Sequence, residues 1–292
     1  MRYLDKRILR KVYSRRDPWV HKGRFGRLAL ISGSERHTGS ACFAGMAAYK
    51  AGTDLVYVIA PQRAADVAAN FSPVLMTIPL QGTRLEQKHV GLIIDTLGEV
   101  KATAAVIGPG LWREGETLEA IIQLLGRINL PTVIDADAIR AVGQHRDSPR
   151  PEKCIFTPHV NEFRQLTGTT VDEQLSTRTI SVQSEAKRLG STILLKGHVD
   201  IISDGKKTLL NRTGTSYMTK GGLGDTLAGI CGAYLARGVD CLTAACASAY
   251  VNGRAGEISS KKYGESLLPT DLIESIHHVI SVQESSGHKP SS

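Results

Sequence analysis

Lys220-Gly221-Gly222-Leu223-Gly224-Asp225 sets three glycines and a carboxylate ahead of an apolar run from Thr226 to Leu235. Glycine lets a backbone come close to a ligand and reach positive φ. A helix N-terminus offers N–H groups without helical acceptors and a partial positive charge, which together attract a phosphate or a developing anion. Asp225, in the first turn of such a helix, could take a proton from a hydroxyl beside that anion. A base next to anion donors is the equipment that phosphoryl transfer needs. The competing structural explanation is an Asp-capped helix after a glycine turn.

The elements that must position these residues follow from apolar runs. Leu28–Ser32, Leu55–Ile59, Val74–Ile78, Ala104–Ile107, Thr132–Ile134, Cys154–Phe156 and Ile193–Leu195 read as strands, and Ser40–Ala51 as a helix of small residues. Near-continuous apolar strands separated by helices predict a doubly wound α/β fold, a mostly parallel sheet with helices on both faces. Polar clusters follow Ser32, Ile107, Ile134, Phe156 and Leu195. In open α/β sheets ligands bind beyond the carboxyl ends of the strands, so these clusters are expected to converge on one crevice. One domain is expected over 1–282, with a disordered polar tail at 283–292.

Composition narrows the function. The 292 residues suffice for a large core, and the hydrophobic content of 41% is that of an ordinary globular chain. No apolar run approaches a membrane span, and charges between Asp5 and Lys11 interrupt any signal-like stretch. Cys42, Cys154, Cys231, Cys241 and Cys246 lack CxxC spacing and read as buried reduced thiols of a cytoplasmic protein. The net charge of +8 favours anionic partners. With aromatics at 5% and no nucleic-acid motif, the basic stretch from Arg2 to Arg27 reads as a solvated helix face.

Taken jointly, the motifs resemble the ADP-dependent NAD(P)H-hydrate dehydratases of the ribokinase-like superfamily. The resemblance runs from about His21 to Leu272. It rests on His21-Lys22-Gly23-Arg24-Phe25-Gly26, Gly39 with its Ala-rich helix, Gly52–Val56 with Ala60-Pro61, and Gly108-Pro109-Gly110-Leu111. It continues through Asp135-Ala136-Asp137-Ala138, Thr157-Pro158-His159 with Glu162, Leu195-Lys196-Gly197, and Gly221–Gly229. It implies a stand-alone dehydratase without a fused epimerase domain. The implied reaction uses ADP, or ATP in some members, to turn the hydroxyl of hydrated NADH or NADPH into a phosphate leaving group, then eliminates it.

By that resemblance Asp225 is the base, with Gly222 and Gly224 donating backbone N–H groups to the transferring phosphoryl group. Ala41, Gly110, His159 and Asp225 would contact the hydrated dinucleotide. Lys196, Gly197, His198, Val199, Asp200 and Gly224 would line the nucleotide site. Glu162 would organise Mg²⁺ through water. A homotetramer is implied, with no nucleic-acid or membrane partner. His21 and Lys22 would touch ligand or shape the pocket rim. Bland alternatives exist: His159 as a helix cap, Asp135 and Asp137 as caps, Lys196 as a solvated strand-end charge, Glu162 as a helix-surface acid. Departures are Lys220, Leu223, Thr215-Ser216, and Arg140 in place of a frequent Asn. A vitamin-precursor or sugar kinase of the same superfamily would share the fold, the glycines and the base.

Overall fold

The computed structural model describes residues 2–113 and 115–281. The tail expected at 283–292 lies outside the described residues. The chain opens with β1 (Arg2–Tyr3) and reaches β2 (Arg27–Ile31), α1 (Gly39–Lys50), β3 (Leu55–Pro61), α2 (Gln62–Phe71) and β4 (Met76–Leu80). It then runs through α3 (His89–Glu99), β5 (Ala104–Ile107), α4 (Glu116–Arg127), β6 (Thr132–Ile134), α5 (Ala136–Gln144), β7 (Cys154–Phe156), α6 (Val160–Thr167) and α7 (Leu175–Leu189). The last part holds β8 (Thr192–Leu195), β9 (Asp200–Ser203), β10 (Thr208–Asn211), α8 (Leu223–Ala236), α9 (Cys241–Tyr263) and α10 (Pro269–Ser281).

The strands form one 10-stranded sheet in the order β1-β10-β9-β8-β7-β6-β5-β2-β3-β4. From β8 to β4 every pairing is parallel, as the apolar runs predict. The chain leaves β2 toward β3 and β4, then returns to β5 on the other side of β2. That reversal opens a crevice at the carboxyl ends of β2 and β5.

Side-chain alternation divides the core. Leu28, Leu30, Val56, Val58 and Val106 face α1, α8, α9 and α10. Ala29, Ile31, Ile59, Ile107 and Ile134 face α3 to α7. α8 is buried along nearly its whole length, which is what an all-round apolar helix demands. Its close approach to α1 needs glycine: a Cβ at Gly229 would lie 2.1 Å from the Ala44 carbonyl oxygen.

Two expectations need correction, and one strand pair was not expected at all. The basic N-terminal stretch is no α-helix. β1 pairs with β10, a six-residue 3₁₀ turn covers Lys6–Lys11, and Leu9 and Val12 are buried against the main core. The antiparallel β9–β10 pair was not anticipated, although Asp204-Gly205, with Gly205 at φ 83°, carries a hairpin turn between them. The His21–Gly26 segment sits away from the crevice. Gly23 and Phe25 donate N–H bonds to Asp54 Oδ2, and a Cβ at Gly26 would lie 2.7 Å from Ala236 at the far end of α8. These contacts belong to the amino-terminal edge of the sheet.

Candidate active site

α8 starts at the crevice. Gly222 is its N-cap at φ 91°, a conformation that favours glycine. A Cβ there would lie 2.7 Å from Pro269 Cγ and 2.8 Å from Phe43 Cδ2. The helix ladder opens with Thr226 N–H donating to Gly222 O, ahead of which stand the N–H groups of Leu223, Gly224 and Asp225. The Thr226 hydroxyl donates to Asn252 Oδ1 at 2.8 Å, tying the first turn to α9. A Cβ at Gly224 would meet only Lys196 Nζ, at 3.7 Å, so the lysine reaches over the mouth of α8.

Asp225 is not a cap. Ser40, in the first turn of α1, lies beside its carboxylate and favours the charged form. Burial pushes it up to about 6 and the Asp135 carboxylate adds to that, while Ser40 and Lys196 pull it down. The result is a carboxylate poised to exchange a proton near neutrality.

The strand ends meet around Lys196. Its Nζ lies 3.3 Å from Asp135 Oδ1 and 3.7 Å from Glu162 Oε2. Burial pulls the ammonium down, but Asp135, Glu162 and Asp225 outweigh it and hold the group above its ordinary value. Thr157 donates to the same Asp135 oxygen at 2.6 Å. Asp137 Oδ2 accepts Trp112 N–H at 3.0 Å, and its Oδ1 lies 3.4 Å from Arg113 Nε. Neither Asp135 nor Asp137 caps α5 with its side chain. On the other flank the Ser32 hydroxyl and Gly33 N–H both donate to Pro109 O, so the loops after β2 and β5 are joined. The clusters after β2, β5, β6, β7 and β8 therefore do come together.

Gly110 lies against α1: at φ 67°, a Cβ would be 2.7 Å from Ser40 Oγ. Ala41 is wholly buried in the core, backbone included, and presents no surface to the crevice. His159 caps α6. Its Nδ1 accepts the N–H groups of Asn161 and Glu162, and Glu162 Oε2 accepts His159 N–H at 2.8 Å. An accepting Nδ1 assigns the proton to Nε2, which lies 3.5 Å from Glu162 Oε1, so a ligand would meet the exposed ring of a histidine already engaged at both nitrogens.

The turn after β8 is stiff. Gly197 N–H donates to Asp200 Oδ1, Asn211 donates to Asp200 Oδ2, and Arg178 donates to Lys196 O. Asp200 is thus engaged within the turn and burial lifts it to about 6. Gly197 and His198 are exposed and Val199 half-buried. Lys220 turns to the Glu265 carbonyl. A cleft of about 270 Å³ adjoins the network at the starts of α5 and α6, lined by Arg113, Asp137, Arg140, His159 and Glu162 among others. Ala136 at φ 47° and Trp112 at φ 127° lie beside it, non-glycine residues in a region that costs about 1–3 kcal/mol each. Sequence reasoning did not single out Ser40 or Arg113.

Residues 28–278 match the family described as NAD(P)H-hydrate dehydratase. The chain belongs to that family. It is 41% identical over 261 residues to the bifunctional NAD(P)H-hydrate repair enzyme Nnr of Pyrobaculum aerophilum, with 89% of this chain and 51% of that protein covered. The chain spans about half the length of several such bifunctional relatives. It is 34% identical to the ADP-dependent (S)-NAD(P)H-hydrate dehydratase of Cenarchaeum symbiosum, with 96% of each chain covered. Among solved structures, a ribokinase-like superfamily protein of Enterococcus faecalis superposes with TM-score 0.84 at 28% identity, covering 96% of this chain and 95% of that one. The ADP/ATP-dependent NAD(P)H-hydrate dehydratase of Bacillus subtilis, co-crystallised with ATP and Mg²⁺, gives TM-score 0.83 at 25% identity, covering 96% and 98%. The ribokinase-like expectation is met.

Proposed function

We propose that this dehydratase-family chain restores NADH and NADPH from their hydrated forms at the expense of ADP, releasing AMP and phosphate. The observation that carries the reading is Asp225: a half-buried carboxylate, lifted toward neutrality, at the open N-terminus of α8 and within the field of Lys196.

In this reading Asp225 takes the proton of the ring hydroxyl. The oxygen bonds to the terminal phosphorus of ADP, and AMP leaves with the electron pair of the broken P–O bond. Gly222, Gly224 and neighbouring N–H groups at the start of α8 receive the transferring phosphoryl oxygens. The ring C–O bond then breaks, phosphate departs with that electron pair, and a proton lost from the adjacent ring carbon restores the double bond. Lys196 and the Gly197–Asp200 turn hold the nucleotide, Asp200 by fixing the turn. Gly110 and His159 border the hydrated ring, with the fully buried Ala41 behind them in α1.

Mg²⁺ fits only as an ion carried by nucleotide phosphates and water. Among the described residues no group of three or more His, Cys, Asp or Glu could hold a metal, and Glu162 already serves His159 N–H and Lys196, leaving it an outer contact. Such an ion would neutralise phosphate charge. The proposal extends to a cytoplasmic homotetramer. Free cysteines accord with that compartment, and sedimentation should give four times 31.5 kDa.

The test incubates the chain with hydrated NADH, Mg²⁺ and ADP or ATP and follows the return of reduced-nicotinamide absorbance. ADP should serve better. No return with either nucleotide, together with phosphorylation of a thiazole, pyrimidine or sugar alcohol, would make the chain a kinase instead.

A further inference from the structure

The cleft at the starts of α5 and α6 carries positive charge that the reaction above does not use. Asp137 and Glu162 also line it, but both are committed. Asp137 is taken by Trp112 N–H and Arg113. Glu162 is taken by His159 N–H and Lys196. Arg140, half-buried one turn into α5, pairs with no carboxylate among the described residues. Arg113 is bound through Nε at 3.4 Å with its side chain 71% exposed, which leaves its terminal nitrogens free to reach a ligand. His159 lines the same space, its Nε2 3.5 Å from Glu162 Oε1.

An unpaired guanidinium beside a second one whose terminal nitrogens are free, in one concavity, forms a phosphate receptor. The nucleotide's phosphates are accounted for at α8 and Lys196. His159 joins the cleft to the hydrated-ring side. We propose that Arg140 and Arg113 form a subsite for a phosphate of the hydrated dinucleotide, either its diphosphate bridge or a 2′-phosphate. This inference rests on the dehydratase reading.

Arg140→Gln is the cleaner variant, because loss of Arg113 would also strip Asp137 of its partner. The KM for hydrated NADPH and hydrated NADH is measured at saturating ADP in wild type, Arg140→Gln and Arg140→Lys. Dissociation constants for the products NADPH and NADH are measured by calorimetry on the same proteins. A lost charged hydrogen bond should raise KM and Kd roughly 10- to 100-fold in Arg140→Gln, less in Arg140→Lys, with KM for ADP unmoved. A loss confined to the NADPH forms identifies the 2′-phosphate, and an equal loss for both identifies the diphosphate. Unchanged KM and Kd for both dinucleotides in Arg140→Gln overturns the subsite. If wild type turns over neither hydrate, the dehydratase reading fails on its own. The calorimetry still decides the subsite, with weaker NADPH or NADH binding in Arg140→Gln upholding it and unchanged binding overturning it.

Discussion

Ser40 and Asp225 stand side by side across the seam where α1 packs on α8, the hydroxyl favouring the charged carboxylate. Asp225 caps nothing, because α8 starts on Gly222 without a side-chain cap bond, and Lys196 is the cation that offsets the cost of its charge.

Asp225→Asn keeps shape and hydrogen-bonding capacity but cannot take a proton. Turnover should fall by ~10²–10⁴-fold with nucleotide binding retained. Because the folded carboxyl is lifted to about 6, its charged form costs stability above that pH, and the cost vanishes below about 4. The Asn variant should therefore melt higher than wild type at pH 7 and lose that advantage at pH 4. Retained turnover would remove Asp225 from catalysis.

The pH profile carries the same assignment. A base must be ionised, so kcat/KM should rise with pH through about 6. Asp200 is lifted to about 6 as well. The residual activity of Asp225→Asn separates the two, since it should lack that limb. A flat wild-type profile between pH 5 and 8 would count against Asp225.

Lys196→Ala removes the cation shared by Asp135, Glu162 and Asp225. The KM for ADP should rise more than that for hydrated NADH, and the acidic limb should move above its wild-type midpoint as Asp225 loses a stabilising charge. An unmoved limb and an unchanged nucleotide dependence would place the lysine outside the site.

The two glycines at the mouth of α8 should behave differently. Gly222→Ala needs φ 91° and collides with Pro269 and Phe43, so it should lower both the melting temperature and turnover. Gly224→Ala lies inside the helix and meets only Lys196 Nζ. Alanine is the better helix former by about 1 kcal/mol, so the melting temperature should hold or rise while turnover drops. Normal turnover in Gly224→Ala would show that no ligand comes close to that turn.

Much of this site was readable because each strand of the crevice is a short apolar run that ends in a polar cluster. Ala104–Ile107 before Gly108-Pro109-Gly110 is one case. Gly108 reads as a turn in sequence, yet its reason is tertiary: a Cβ there would lie 1.7 Å from Asp135 O. The proximity of Ser40 to Asp225 joins helices far apart in the chain and leaves no local trace. Other features did leave local traces. His159 and Glu162 stand at capping-box spacing, and Asp204-Gly205 is a hairpin signal. The segment His21–Gly26 enters β2, so it had to lie at that strand's amino end, opposite the crevice.

α8 has almost no side facing solvent and is pinned at its first turn by Asn252. Such a helix exposes its amides only when the whole domain opens. Deuterium uptake along Thr226–Ala236 should then be as slow as global unfolding, while Pro109–Arg113 and Gly197–Val199 exchange far sooner. Adding ADP should slow exchange at those rims and leave the interior of α8 unchanged. The proton acceptor is the stationary part of the machine, and the reactants close upon it.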